Sequence, residues 1–530
     1  MDILLPWAAL LGPAALLTVF LASLRQPGSR PTVVVQAAGA AGGLGLVGAA
    51  ASILSVALHG SWTSPVLGAS GIGFALRLDA LSVTMLALVA FMAWVLLRYS
   101  RNYLDGDDGH GRFLGLLALT AGCVMLLVLA GNLLHLAVFW AATSFALHRL
   151  LLFYPDRVGA RVAGRKKFLV ARAGDLALAG AAFLLYGIFE TADLGLLLER
   201  AAALEAAPAG LLVATLLVAL SAILKSAQFP THGWLLEVME TPTPVSALLH
   251  AGIINGGTFL VVRLGDVVLL TPGAMHLLLV VGGFTAIFAS VVMTTQNSVK
   301  VSLGYSSAAH MGFMLLLCGL GAFPVAILHL VAHSFYKAHA FLSSGSAVEA
   351  FEGGAAMPAR TLPGVGLILT GMVAALGTVA GLALLLGMSP WEEPVTLGLA
   401  GVLAIALTQL WTRGIEHRGS AFVVGRTMMY AAGTTLAFFT LEAGAALLLG
   451  GAVPIPEERS GTTLLLMSGV VAAFATTVLL QLRLPALLRS PRWAVVWVHL
   501  RNGLYANVLF DRLVGALRIR TADALSQETL

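Results

Sequence analysis

Charged side chains make up only 10% of this 530-residue chain while 59% of it is hydrophobic. That shortage excludes a soluble globular protein, because so few charges could not cover its surface. Cysteine is almost missing as well. Cys123 and Cys318 both fall inside apolar runs, where a small buried role is the default, so neither a disulfide framework nor a metal–thiolate site is indicated. The sequence also lacks a glycine loop followed by lysine to cradle phosphates, a metal-ligand constellation, and a nucleophile with its base. Read alone, the chain is therefore not an enzyme, and no cofactor is expected on it.

What is present is apolar length. Stretches of about 20 residues, enough to cross a hydrocarbon core roughly 30 Å thick, recur about fifteen times. They are long and uninterrupted rather than short and alternating, which excludes a barrel of strands. The expected fold is an all-α polytopic membrane protein with about 13–15 transmembrane helices. The first run, opening at Met1, has no positive n-region and no convincing cleavage site and reads as a retained helix. Basic residues follow odd-numbered helices: Arg25 and Arg30, then Arg98, Arg101 and Arg112, then Arg157 to Lys167, then Arg413, Arg418 and Arg426, and the tail from Arg483. By the positive-inside rule the N-terminus lies outside and the C-terminus in the cytoplasm. The net charge of +5 thus reflects topology signals and contacts with membrane lipids, not a nucleic-acid footprint.

Polar residues inside the apolar runs are costly to keep and mark the expected site. Lys225 closes the run Leu211–Ile223 and is followed by Pro230 in LKSAQFPTHGWLLEVMETPTPVSALLHAG. It reads either as a snorkelling lysine or as a buried amine that loads and unloads a proton. Pro230, Pro242 and Pro244 predict a helix break, whose freed backbone groups must be satisfied internally. His250 follows in the next helix, where an imidazole suits either packing or a relay. In HLVAHSFYKAHAFLSSGS, His329, His333 and Lys337 recur every four residues and share one helical stripe at about 6 Å spacing. That ladder could pass protons through intervening water. The rival is a zinc pair, which the lack of a carboxylate at ligand spacing disfavours. Lys300 and His310 belong to the preceding run, KVSLGYSSAAHMGF, where Lys300 could equally anchor the interface. Arg172 and Asp175, in KKFLVARAGDLAL, can pair at i, i+3 or modulate Lys225.

These stretches resemble the proton-translocating, antiporter-like subunits of respiratory complex I and the Mrp-type cation antiporters, with several long motifs in order over roughly residues 75 to 350. The resemblance implies two inverted five-helix repeats with broken helices around a polar axis. It assigns Lys225, His250, Lys300, His329, His333 and Lys337 to that axis, with Arg172 and Asp175 beside it. The repeats would span 113–265 and 266–415, after N-terminal helices in 1–112 and before C-terminal helices in 416–485.

The chain also departs from that pattern. The family's glutamate after a glycine–tryptophan pair, partner of the broken-helix lysine, is missing: Ala141 follows Trp140 in VFWAATSFALHRLLLFYPDR. The second broken helix should hold a lysine or glutamate, yet Thr361–Met388 carries no charge and the next span offers only Gln409. With the ending WVHLRNGLYANVLFDRLVG, these departures look more like the DabB group of membrane subunits, from bacterial systems that accumulate inorganic carbon. That likeness implies the bacterial inner membrane, a cytoplasmic DabA partner that is a zinc protein related to β-carbonic anhydrases, and H+ or Na+ flow driving CO2 hydration there. Zinc is thus expected on the partner, none on this chain. Independently of the likeness, Trp497, Leu500, Leu504 and Val508 share a face flanked by Arg501, Asn502, Asp511 and Arg512. The segment 486–530 then reads as a cytoplasmic partner-docking helix or as a helix lying on the inner leaflet. A subunit of a respiratory or Mrp complex, and a non-conducting membrane anchor, are the competing functions.

Overall fold

A computed structural model describes residues 4–238, 241–344, 363–387, 394–416, 421–456, 460–487 and 490–515. The helices run in order as α1 (Leu11–Arg25), α2 (Thr32–His59), α3 (Ala80–Tyr103), α4 (His110–Val128), α5 (Leu133–Leu151), α6 (Val158–Phe189), α7 (Leu194–Ala202), α8 (Leu211–Lys225), α9 (Gly233–Glu237), α10 (Thr243–Leu248), α11 (Gly256–Arg263), α12 (Gly265–Leu269), α13 (Pro272–Met293), α14 (Val299–Gly319) and α15 (Phe323–Leu342). They continue as α16 (Val365–Leu385), α17 (Pro394–Glu416), α18 (Ala421–Leu449), α19 (Gly461–Leu487), α20 (Pro491–Arg501) and α21 (Ala506–Leu513). Among the described residues, thirteen spans are long and apolar enough to cross a membrane, counting Thr243–Arg263 as one. The two that fall outside that set are α8, with 15 residues, and α15. Including them gives the fifteen read from the sequence, and they are the helices that carry Lys225 and Lys337.

Packing follows from small residues. Gly282 of α13 lies against Gly312 and Leu316 of α14, and a β-carbon at Gly312 would stand 2.6 Å from the backbone nitrogen of Ala286. The two helix backbones meet directly, as small residues permit in membranes where no apolar driving force draws helices together. Outward-facing Leu176, Phe183 and Leu447 are 74–88% exposed, which suits lipid-facing positions.

Between α2 and α3 the chain forms two short antiparallel ribbons, β1 (Trp62–Thr63) with β4 (Arg77–Leu78) and β2 (Leu67–Ala69) with β3 (Ile72–Phe74). Asn132 ties them to α5: its Nδ2 donates to Gly71 O at 2.9 Å while its Oδ1 caps the Leu134 amide at 3.0 Å. At this end of the bundle Asp79 caps α3 through the Ser82 amide and receives both Arg263 from α11 and Arg77. Burial alone would raise its carboxyl pKa, but the Arg263 and Arg77 guanidinia and the Ser82 amide hold it well below the usual carboxylate range. This stabilisation is present above the unfolded carboxyl pKa of about 3.9 and is lost only as pH falls below that value. Arg263→Ala leaves the buried carboxylate poorly paired, so thermal unfolding in detergent at neutral pH should show a loss of about 3–5 kcal/mol. An unchanged melting curve would contradict this role.

The first helix break is present. After Lys225 the chain turns through Ala227 (φ +49°) and a cis Phe229–Pro230 bond before α9. Freed groups find internal partners: Phe229 N donates to Thr285 Oγ1 at 3.2 Å and Gln228 Nε2 to Ser226 O at 2.7 Å. Pro242 stands at the N-cap of α10 and Pro244 within its first turn, where a missing N–H costs no helical bond. Between α10 and α11, Leu249–Ile253 forms a π turn, a local widening that recurs at functional sites.

Two expectations are corrected. A second broken helix is not seen among the described residues, since α16 runs unbroken over Val365–Leu385; no internal proline or buried charge there forces a break. The stripe Trp497–Leu500–Leu504–Val508 is also not one face of one helix. Leu504 and Tyr505 are left-handed (φ +51° and +60°) and separate α20 from α21. Trp497 and Leu500 face α13 and α19 of the same chain, whereas Leu504 and Val508 are exposed, as is Arg512.

Candidate functional site

The sequence of α5 explains how Lys225 is held without an acid. Its ammonium donates to Trp140 O at 3.2 Å, Thr143 Oγ1 at 3.0 Å and Ser144 Oγ at 3.0 Å. It also stands 4.3 Å from the centre of the Trp140 ring. Three neutral oxygens and a π face thus replace the carboxylate that Ala141 removes. The signal was visible in WAATS, where hydroxyls lie three and four residues after the tryptophan and share its helical face.

Sequence reasoning missed Lys167. Placed by its position among loop arginines, it was read as a topology signal, but it lies buried on α6 and donates to the carbonyl of Ser144. Ser144 therefore serves both lysines, Lys225 through its hydroxyl and Lys167 through its carbonyl. Arg172 and Asp175 form their expected ion pair at 2.5 Å, with the guanidinium 3.6 Å from the centre of the Phe145 ring. They stand partly buried on α6, the helix that also carries Lys167.

Beside Lys225 lies a small hollow in which Thr143 and Lys225 face mainly apolar side chains, among them Met85, Val124, Leu127 and Phe259. Beyond it Asn255 Nδ2 donates to Ser334 Oγ at 2.8 Å, joining the α10–α11 segment to α15. Asn255 and Ser334 are further residues that the sequence reading passed over, since neither is ionisable. The path then meets the histidines. His250, in the π turn, stacks on Phe341 with ring centres 4.5 Å apart. His310 Nδ1 lies 3.0 Å from His329 Nε2, and the His310 ring centre is 4.8 Å from that of His333. His333 and His250 make no hydrogen bond to protein among the described residues. Lys337, fully buried, closes the path by donating to Leu303 O at 3.1 Å.

The structure thus brings Lys225, His250, His310, His329, His333 and Lys337 into one internal file, with Arg172 and Asp175 beside it. Lys300 is left out. It stands half-buried in the first turn of α14, and among the described residues it makes no hydrogen bond or ion pair to the file. Every side chain in the file either donates and accepts or exchanges a proton, so the arrangement suits stepwise proton transfer rather than bond chemistry on an organic substrate.

Comparison with known proteins agrees with this geometry. Residues 130–407 match the family model described as NADH:quinone oxidoreductase/Mrp antiporter, TM, and residues 62–114 that of complex I chain 5 N-terminus. The chain is 37% identical over 447 residues to "Probable inorganic carbon transporter subunit DabB2" of Halothiobacillus neapolitanus, covering 83% of this chain and 80% of that protein. It is 43% identical over 300 residues to "Probable inorganic carbon transporter subunit DabB" of Hydrogenovibrio crunogenus, covering 56% and 57%. Among solved structures, the Mrp complex from Dietzia sp. DQ12-45-1b matches at a TM-score of 0.66 and 25% identity, over 98% of this chain and 60% of that one. These relatives are transport subunits, and a multi-pass, non-enzymatic transport role follows for this chain. It belongs to the complex I and Mrp antiporter-like family of membrane subunits, and within it to the DabB group.

Proposed function

We propose that this protein conducts cations, H+ in the first instance, along the Lys225–Asn255–His333–Lys337 file and thereby energises inorganic carbon accumulation by a cytoplasmic DabA-type partner. The observation that carries the reading is the buried file itself: two lysines held only by neutral oxygens, bridged by Asn255 and Ser334 and a histidine cluster. A membrane anchor needs none of these groups, and each is costly at membrane depth. The partner is a zinc protein related to β-carbonic anhydrases, and CO2 hydration to bicarbonate takes place on it. The protein resides in the bacterial inner membrane, N-terminus outside and C-terminus cytoplasmic. The clustering of loop arginines after odd-numbered helices supports this orientation.

The test is growth at ambient CO2 of a carbonic-anhydrase-deficient bacterium expressing this chain with its neighbouring partner gene. Wild type should rescue, and a protonophore should abolish carbon uptake in the rescued cells. Rescue that persists in Lys225→Ala and Lys337→Ala would reduce the chain to an anchor. Absence of rescue with a verified complex would favour an antiporter subunit instead.

A further inference from the structure

The C-terminal segment does not end free of the bundle. It folds back across the end opposite the ribbons, and α21 places Asn507 and Asp511 against the fully buried ammonium of Lys166 on α6. The same ammonium donates to Glu237 Oε1 of α9 at 2.7 Å, and Asn507 Nδ2 reaches that oxygen at 3.3 Å. Gly233, the first residue of α9, lies directly beneath Asn507, where any β-carbon would collide with Asn507 Oδ1. One buried cation thus fastens α6, the helix following the break and the C-terminal segment in a single polar knot.

The position of the knot matters more than its strength. Lys166 and Lys167 are consecutive on α6 and therefore point about 100° apart. One is held by the C-terminal segment and the other by Ser144, the residue that also receives Lys225. On a second side, Gly503 packs against the Tyr305 hydroxyl, and Gln296 Nε2 donates to Arg501 O at 3.2 Å. Tyr305 stands two residues beyond Leu303, whose carbonyl receives Lys337. The segment therefore touches neighbours in sequence of the residues that support the file, Lys166 beside Lys167 and Tyr305 two residues from Leu303, while contacting neither Lys225 nor Lys337.

We propose that the C-terminal segment is a coupling strut, in which the Lys166–Glu237–Asn507–Asp511 knot sets the position of the broken helix, so that displacing α21 shifts both ends of the ion file. This rests on the ion-conducting reading for its consequence, though not for its geometry. Asp511 and Lys166 are positioning residues, acting through α9 and α6. A partner that binds the exposed side of α21 would feel, and impose, the state of the file without contacting it.

The experiment uses the full chain with its partner and compares wild type, Asp511→Asn and the charge-keeping Asp511→Glu. Hydrogen–deuterium exchange on the purified complex should show amides of residues 226–238 exchanging faster in Asp511→Asn, by about tenfold or more, with α1 to α4 unchanged. In vesicles, the pH profile of ion-driven carbon uptake should move in Asp511→Asn and return in Asp511→Glu. A folding or binding defect would scale that profile without moving it. Unchanged exchange at 226–238, or faster exchange throughout the bundle, would overturn the strut. If wild-type vesicles show no ion-driven uptake, the ion-conducting reading fails, and the exchange result still decides the strut.

Discussion

Lys225→Ala is expected to lower ion-driven carbon uptake by at least about a hundredfold, a loss of roughly 3 kcal/mol in the limiting barrier, with the protein still present in the membrane at wild-type level. The second half of that expectation follows from how the lysine is held. Its partners are the Trp140 carbonyl and the Thr143 and Ser144 hydroxyls, none of which is charged. Removing the ammonium strands no buried carboxylate, and the Thr143 hydroxyl already bonds back to Trp140 O at 2.8 Å. The usual cost of breaking a buried ion pair, about 3–5 kcal/mol, therefore does not arise here. Lys225→Arg sharpens the test. Guanidinium keeps its charge at any physiological pH and cannot pass a proton on, so a proton carrier fails in the arginine variant as completely as in alanine. Recovery of uptake by arginine would show that only a fixed positive charge is required and would end the carrier reading of Lys225.

The fold was largely legible because membrane helices announce themselves by length. The fifteen spans, the break near Pro230 and the stripe His329–His333–Lys337 all follow from apolar runs, proline chemistry and the helical period. The site was legible only where a residue was both ionisable and surrounded by apolar sequence. Lys167 failed that condition: it stands among Arg161, Arg165 and Lys166, and sequence alone does not reveal that α6 already runs into the bundle at that point. Asn255 and Ser334 failed it too, since neutral side chains are ordinary helix content until their bridge is seen. Lys300 failed in the opposite direction. It carries the right charge at the start of a helix, where the dipole disfavours a cation and only the interface or the file gives it a reason to be there, and among the described residues no hydrogen bond or ion pair ties it to the file. The C-terminal stripe was periodic on paper, but a periodicity argument assumes one unbroken helix, and the left-handed pair Leu504–Tyr505 removes that assumption.

Lys167→Met is the second large effect expected, at least about tenfold in uptake rate, and it separates a conducting lysine from a structural one. Methionine keeps most of the volume of the side chain and fills irregular space without a charge, so the packing of α6 against α5 should survive. Only the donor to Ser144 O disappears, and that carbonyl remains an ordinary helical acceptor. Two amines on one residue, one through the hydroxyl and one through the carbonyl, repel each other at low dielectric. A proton arriving on either therefore makes the other easier to unload. That coupling lets the two sites load and unload as a unit, and Lys167 stands beside Lys225 within the bundle rather than in a loop. The measurement is a double-mutant cycle on ion-driven uptake in vesicles for Lys167→Met, Lys225→Gln and the pair. If the two lysines form one unit, the double variant should be no worse than Lys225→Gln alone, since residues that act together lose their effect only once. Strictly additive losses would instead make Lys167 an independent support of α5, and wild-type uptake in Lys167→Met would remove it from the file altogether.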